Sequence, residues 1–564
     1  MSDRIAFEST KKQAIETART RLLVGGSLMA AAFFVVGVRL FDLAVFNENE
    51  DLRRAASREI ARPTPMARAD IVDRNGVLLA TSLKTASLFA DPRKIADPAD
   101  TAHRLIEILP DLSEEVVAAR LGSGKSFVWL RRNLTPRQQF EVNRLGIPGL
   151  EFEKEERRVY PHGRLAGHIV GFTNVDNVGL SGIEKSMDAA IAGAKTPLRL
   201  SIDIRVQQIL RQELAGQIEK FKAIGGGGIV LDVESGEVVA MVSLPDFDPN
   251  AAGQAGADTR FNRMTLGVYE LGSVFKIFNH AIALETGVAT FASRYDATKP
   301  IRVARFTISD YHPKKSWLTV PEIFQHSSNI GSAKIALDIG SDDQRKYLGH
   351  LGLLRRTSIE LPEQGLPMYP ARWREINTMT ISFGHGIAVS PLHLTSAVAA
   401  VVNGGILRPA TLVEHDAKTT DGVQVFSAQT SDRMRRLLRL VVETGTGRNA
   451  DAKGYLVGGK TGTAEKQVNG SYKRNALISS FVGVYPITAP RFVVFAMLDE
   501  PKGIKESYGY ATGGWTAAPV VQGVVARMAP LFGIAPLDET APDIRHAINI
   551  NAQPAIGNRS DAVN

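Results

Sequence analysis

The chain has 564 residues, 44% of them apolar and 22% charged, enough for roughly two to four domains with sizeable cores. Its formal net charge of +8 would suit an acidic polymer, an anionic membrane surface or nucleic acid; no recognition helix, zinc finger or aromatic-studded basic sheet accompanies the charge, which sets nucleic acid aside. Cysteine is absent, which excludes disulfides, thiolate catalysis and cysteine-ligated zinc and is compatible with an oxidising compartment.

The first element in chain order is hydrophobic. Residues 22–38, LLVGGSLMAAAFFVVGV, carry no charge, and beyond Arg39, Leu40, Phe41 and Asp42 the run resumes as LAVF to Phe46. That length is at the short end of the roughly 17 to 25 residues a spanning helix uses, and Arg39 can snorkel to an interface. A transmembrane helix over 22–46 is the reading. A cleaved signal peptide would end its apolar core in a small-x-small site, which residues 41–46 do not offer. Arg4, Lys11, Lys12, Arg19 and Arg21 outnumber Asp3, Glu8 and Glu16 ahead of the span, and Glu48, Glu50 and Asp51 follow it before Arg53 and Arg54. The positive-inside rule therefore makes 1–21 a cytoplasmic tail and puts the bulk outside.

Two globular parts come next. Residues 50–195 read as a strand-rich pedestal, with ADIVDRNGVLLATSL at 69–83, the charged run EFEKEERRVYPHGRLAGHIVGF at 151–172, and turns at Asn75-Gly76 and Pro161-His162-Gly163. Residues 196–535 read as a mixed α/β (α+β) domain. It opens with a strand and an amphipathic helix in LRLSIDIRVQQILRQELAGQIEKF, then a hairpin of GGGIVLDV and EVVAMVSL joined through Glu234, Ser235 and Gly236. The polar, proline-bearing end, 536–564, reads as a flexible tail. Gly225 to Gly228 invites a phosphate-loop reading, but it precedes a strand and no Gly-Lys-Ser/Thr comes after it, so it reads as a flexible lead-in to that strand. His162 and His168 are too isolated for a metal site and read as structural.

Three short runs carry chemistry. In YELGSVFKIF, 269–278, Ser273 and Lys276 share a face of any helix that begins near the serine. The spacing alone is cheap, since Ser9 and Lys12 repeat it in a featureless charged stretch. Ser327-Ser328-Asn329, in FQHSSNIGSAKIALDIG, is by itself a good helix cap. Lys460-Thr461-Gly462-Thr463, in YLVGGKTGTAEK, is by itself a turn or a strand that a ligand backbone can approach. Together they make sense of the lysine. A serine hydroxyl needs a base, and Lys276 is one only when neutral. Burial against Phe275 and Ile277, a helix N-terminus and repulsion from Lys460 all push it that way.

In this order the three runs are the signature of penicillin-recognising serine acyltransferases. From the span to about residue 530, the chain resembles the class B penicillin-binding proteins, D,D-transpeptidases of cell-wall synthesis, and among them the FtsI-type division enzymes. ARADIVDRNG (67–76), RVYPHGRLAGHIVGFTNVDNVGLSGIE (158–184, with Gly179, Gly182 and Glu184), SFGHGIAVSPL and GGWTAAPV sit where that family carries similar runs. Ala69 and Asp70 depart from its usual glycine and following residue, and Leu271-Gly272 stands for its usual Pro-Gly, which implies a slightly different start to the helix.

The resemblance implies a transpeptidase domain like that of penicillin-binding proteins and serine β-lactamases, an antiparallel sheet flanked by helices. It implies that Ser273 attacks the penultimate D-Ala carbonyl of a peptidoglycan stem peptide and Lys276 takes its proton. Ser327 relays a proton to the departing D-Ala, and Asn329 orients Lys276 and the substrate amide. Lys460, Thr461 and Thr463 bind the terminal carboxylate, with Gly462 giving backbone access. The backbone N–H groups of Ser273 and Thr463 would hold the oxyanion, each such donor being worth about 3 to 4 kcal/mol. No cofactor or metal is implied. β-Lactams are the implied inhibitors, and a polytopic membrane glycosyltransferase with other division proteins the implied partners, since the pedestal is too short for a polymerising domain of about 150 to 200 residues.

Other readings are an elongation-type transpeptidase, a dead-site structural protein, a penicillin sensor and a serine β-lactamase. The sensor would need more than a cytoplasmic tail of about twenty residues, and the dead site a lost Ser273 or Lys276. For the hydrolase Glu363, in ELPEQGLPMYP, is the candidate water-activating carboxylate, although Pro367 stands where an asparagine would help hold the water.

Overall fold

The computed structural model describes residues 23–39, 68–303, 306–415, 422–468 and 471–550. Residues 23–39 form a helix with every side chain exposed. The rest of the expected span, Leu22 and 40–46, and the tail 1–21 lie outside the described residues, among which no helix is long and apolar enough to cross a membrane.

The pedestal begins with β1 (Ile71–Val72), β2 (Leu78–Ala90), α1 (Pro98–Ile108), α2 (Glu114–Leu121), β3 (Val128–Leu134), α3 (Pro136–Arg144), β4 (Leu150–Val159) and β5 (Leu198–Arg199). The long β2 pairs antiparallel with β1, β3 and β4, and β5, expected to open the second domain, instead runs parallel to β1 in the pedestal sheet. The helices start where the sequence supplies caps: Asp97 accepts from the N–H groups of Ala99 and Asp100, and Thr135 forms a capping box with Gln138. Leu88, Leu105, Leu109, Val117 and Leu130 fill the space between them and the sheet.

The Asp73–Gly76 turn joins the pedestal to the second domain. Asp73 Oδ1 accepts from the N–H groups of Asn75 and Val77, both at 2.8 Å, while Oδ2 accepts from Ile204 N at 3.1 Å. Arg74 pairs with Glu237 at 2.8 Å. Three further motif residues meet at a buried cluster: Glu184 accepts from Arg68 at 2.6 Å and Arg158 at 2.7 Å, and Arg68 also reaches Asp188 at 2.6 Å. Gly179 is needed there because a Cβ would lie 1.9 Å from the Glu184 carbonyl oxygen.

Beyond the junction come α4 (Ile204–Lys220), β6 (Gly225–Asp232), β7 (Val238–Leu244), α5 (Lys276–Thr286), α6 (Val320–His326), α7 (Asn329–Ile339), α8 (Pro391–Val402), α9 (Ala428–Glu443), β8 (Gly458–Val468), β9 (Ser471–Tyr485), β10 (Phe492–Asp499), α10 (Ala518–Met528) and α11 (Pro542–Ile548). The sheet is antiparallel in the order β8-β9-β10-β6-β7. Strands β6, β7 and β10 are buried on both faces because both are covered. Val230, Val494 and Ala496 pack with α4 and α10, while their neighbours Ile229, Leu231, Val493 and Phe495 pack with α5, α8 and α9.

Two expectations change. The Gly225–Gly228 run is no flexible lead-in but the buried first half of β6: a Cβ at Gly227 would sit 2.5 Å from Met264 Cε, and one at Gly228 2.9 Å from Leu210 Cδ1. The glycines let the covering layers close onto the strand. The tail is also held in its first part. Ile544 and Ile548 of α11 pack on the core, Arg436 donates to the Asn549 carbonyl at 2.7 Å, and Glu539 pairs with Arg439 at 3.2 Å. Residues 551–564 lie outside the described part.

Candidate active site

The nucleophile turn is built by backbone fit. Gly272 to Phe275 form one 3-10 turn, and the α-helix α5 takes over at Lys276. Gly272 has φ +60°, and a Cβ on it would lie 2.5 Å from the Thr463 carbonyl oxygen and 3.2 Å from Thr463 N. A Cβ on Gly462 would lie 2.4 Å from the Leu271 carbonyl oxygen, and one on Gly384 2.1 Å from that of Gly272. Three chain segments, the KTGT strand β8, the SFGHG loop and the nucleophile turn, thus meet main chain to main chain.

Lys276 is fully buried at the centre. Its Nζ lies 3.0 Å from Ser273 Oγ, 2.6 Å from the Ser327 carbonyl oxygen, 3.0 Å from Ser327 Oγ and 2.7 Å from Asn329 Oδ1. A neutral amine offers two hydrogens and one lone pair. The carbonyl and the amide oxygen can only accept and take the hydrogens, which leaves the lone pair for a serine hydroxyl. Burial, and after it the charge of Lys460, hold the ammonium form of Lys276 well below its usual range, with Asp310 opposing. Both effects favour the neutral amine beside Ser273.

Lys460 Nζ donates to Ser327 Oγ at 3.0 Å and to the Thr461 carbonyl at 3.3 Å, and burial lowers it to about 7. Ser327 thus stands between two amines. It holds that place in the left-handed conformation, φ 58° and ψ 42°, at the end of α6. Thr461 Oγ1 is 2.8 Å from Thr446 Oγ1, and Thr463 Oγ1 accepts from Gly513 N at 3.2 Å. The eight residues singled out from sequence, Ser273, Lys276, Ser327, Asn329, Lys460, Thr461, Gly462 and Thr463, all belong to this one cleft.

Residues 226–525 match the penicillin binding protein transpeptidase domain, and 63–213 match the penicillin-binding protein dimerisation domain. A probable peptidoglycan D,D-transpeptidase FtsI of Caulobacter vibrioides is 40% identical over 94% of this chain and 92% of its own length. The chain belongs to the penicillin-binding protein transpeptidase family. The peptidoglycan D,D-transpeptidase FtsI of Escherichia coli is 30% identical over 96% of each chain. The crystal structure of penicillin-binding protein 3 from Mycobacterium tuberculosis, complexed with aztreonam, shares the fold, with a TM-score of 0.67 at 24% identity over 84% of this chain and 98% of that one.

Within this family site the structure adds residues that sequence reading did not single out. Asp310 accepts from the N–H groups of Asn329 (2.6 Å) and Ile330 (2.9 Å) and from the Ser328 hydroxyl (2.8 Å), fixing the start of α7 and with it the Asn329 side chain. Thr446 supports Thr461. Neither lies in a run with a distinctive pattern. Glu363 takes a different place from the one expected of a water-activating carboxylate: it accepts from the backbone N–H of Gly182, in the pedestal, at 3.2 Å.

Proposed function

We propose that this chain is the septal peptidoglycan D,D-transpeptidase of its cell, anchored in the cytoplasmic membrane by one helix near its N-terminus, with the catalytic domain outside. The observation that carries the reading is the set of four contacts that fixes the buried Lys276 amine against Ser273, Ser327 and Asn329. Ser273 Oγ attacks the penultimate D-Ala carbonyl of a stem peptide as its proton passes to Lys276 Nζ. The backbone N–H groups of Ser273 and Thr463 receive the oxyanion. The proton then passes through Ser327 to the leaving D-Ala amine, which returns Lys276 to its neutral form for the second half of the reaction. Lys460, with Thr461 and Thr463, draws the terminal carboxylate into place.

The family relatives named as peptidoglycan D,D-transpeptidases support the substrate and the reaction class, and the aztreonam complex supports β-lactams as inhibitors. The link to the septal machinery comes from the resemblance: a polytopic membrane glycosyltransferase would supply the glycan strands. The pedestal contact of Glu363 weighs against hydrolysis as the physiological reaction.

The test is to incubate the purified chain with a fluorescent penicillin and map the labelled peptide. Stable label on Ser273, lost in Ser273→Ala, is the expected result. Rapid release of the label would favour a hydrolase, and label elsewhere would end the assignment.

A further inference from the structure

None of the cleft residues lines a cavity of about 280 Å³ that opens between the loop 351–358, the helix α8 and the short hairpin of Ile406–Leu407 with Val423–Gln424. Its lining carries Arg355, Arg356 and Arg408, the hydroxyls of Thr357, Ser358 and Ser396, and no acidic side chain. Arg355 and Arg356 are exposed and Arg408 is half-buried, and among the described residues none of the three has an ion-pair partner. Two polar atoms of the lining, Arg408 Nε and Ser396 Oγ, are buried without a hydrogen-bond partner, a condition that folded proteins seldom leave unfilled. One wall is fixed from behind. His393 is buried, and burial holds it below its usual range, so its ring is neutral at pH 7 and carries a single N–H. The Arg355 carbonyl can only accept, which places that hydrogen on Nε2 at 2.8 Å and leaves Nδ1 to accept from the Ser390 hydroxyl at 2.7 Å. The backbone that presents Arg355 is thereby pinned to Ser390, the N-cap of α8.

Three cations gathered around one cavity with no carboxylate among them repel one another, and an anion between them removes that cost. The planar guanidinium fork matches the oxygens of a phosphate, to which it donates two parallel N–H bonds. The volume falls just under the roughly 300 to 1,000 Å³ of ordinary ligand sites, which suits a small oxyanion. We propose that this cavity is a binding site for a phosphate or pyrophosphate group, held by Arg355, Arg356 and Arg408 with the Ser396 hydroxyl as a further donor. The group binds without any bond being made or broken, either as the free anion or carried on a phospholipid headgroup. The site shares no residue with the cleft and stands independently of the reaction at Ser273.

The experiment is equilibrium dialysis of the full chain in neutral detergent micelles against radiolabelled phosphate and pyrophosphate, at constant ionic strength. Saturable binding of one anion per chain is the expected result. Arg408→Gln, and separately Arg355→Gln combined with Arg356→Gln, should each raise the Kd at least tenfold, and Ser396→Ala about threefold. Arg137→Gln, on α3, removes the same charge from an exposed pedestal helix and should bind as the wild type does. Unchanged labelling of Ser273 by fluorescent penicillin shows that each variant is folded, and the double variant alters only exposed side chains should Arg408→Gln fail to fold. Phosphatidylglycerol is then added to the micelles, with phosphatidylcholine as the control. Displacement of the labelled anion by phosphatidylglycerol alone assigns the site to a lipid-borne phosphate, and retention of the anion assigns it to the soluble one. The proposal is overturned if the wild type shows no saturable binding, or if Arg137→Gln weakens binding as much as the cavity variants do.

Discussion

Two regions of this protein bury cationic side chains, and they do so to opposite ends. In the pedestal, Arg68 and Arg158 share Glu184, and Arg68 adds Asp188. In the cleft, Lys276 and Lys460 touch hydroxyls, carbonyls and one amide. A guanidinium cannot lose its proton in a protein, so burying it demands carboxylates. An ammonium can, so burial without a carboxylate makes a base. The same physical cost thus yields a rigid joint in one place and a reactive amine in the other.

A permanent charge does most harm at Lys276. Lys276→Arg puts a permanent charge where a neutral base is required, and the rate of Ser273 labelling by fluorescent penicillin should fall about 10⁴-fold, the upper range for loss of a general base, with the far-UV circular dichroism of the folded chain retained. The pedestal gives the converse. Glu184→Gln leaves two arginines buried with a neutral partner and should cost about 3 to 5 kcal/mol, read as a lower thermal midpoint, while the molecules still folded at 25 °C label at the wild-type rate. Asp310→Asn tests the support of the base from the outside. It removes the carboxylate at the start of α7 and should slow labelling roughly tenfold, as expected for about 1 to 2 kcal/mol of lost charged hydrogen bonding.

The last test reads a slope. Lys460 is lowered from 10.5 to about 7 in the folded chain, so between those values the unfolded chain binds more protons. Stability therefore rises with pH across that window, by at most about 1.4 kcal/mol per unit. Denaturant melts at pH 7 and pH 9 should show this gain in the wild type and a smaller one in Lys460→Met.

The sequence was most legible where function compresses into short runs. Ser273 and Lys276 are three apart on one turn, and Lys460 to Thr463 are consecutive, so their patterns survive without knowledge of the fold. Asp310 was not legible because its task is to cap a helix that starts nineteen residues later, and nothing in its own short run points to that distant partner. The strands and the hairpin after Leu198 were readable from alternation and turn residues. Gly225 to Gly228 misled because glycine signals both freedom and close packing, and only the layers above and below decide which. The end of the chain misled for a related reason: α11 is polar in composition, but two isoleucines four apart suffice to seat it.

The wall of the cleft at Gly272, Gly384 and Gly462 is made of peptide groups pressed against each other. Peptide groups are common to every amino acid, so that surface offers drug resistance nothing to exchange. Variants that evade an inhibitor must act from the rim or by loosening the whole assembly, and a compound whose grip relied on the glycine wall alone would leave the bacterium few single-step escapes.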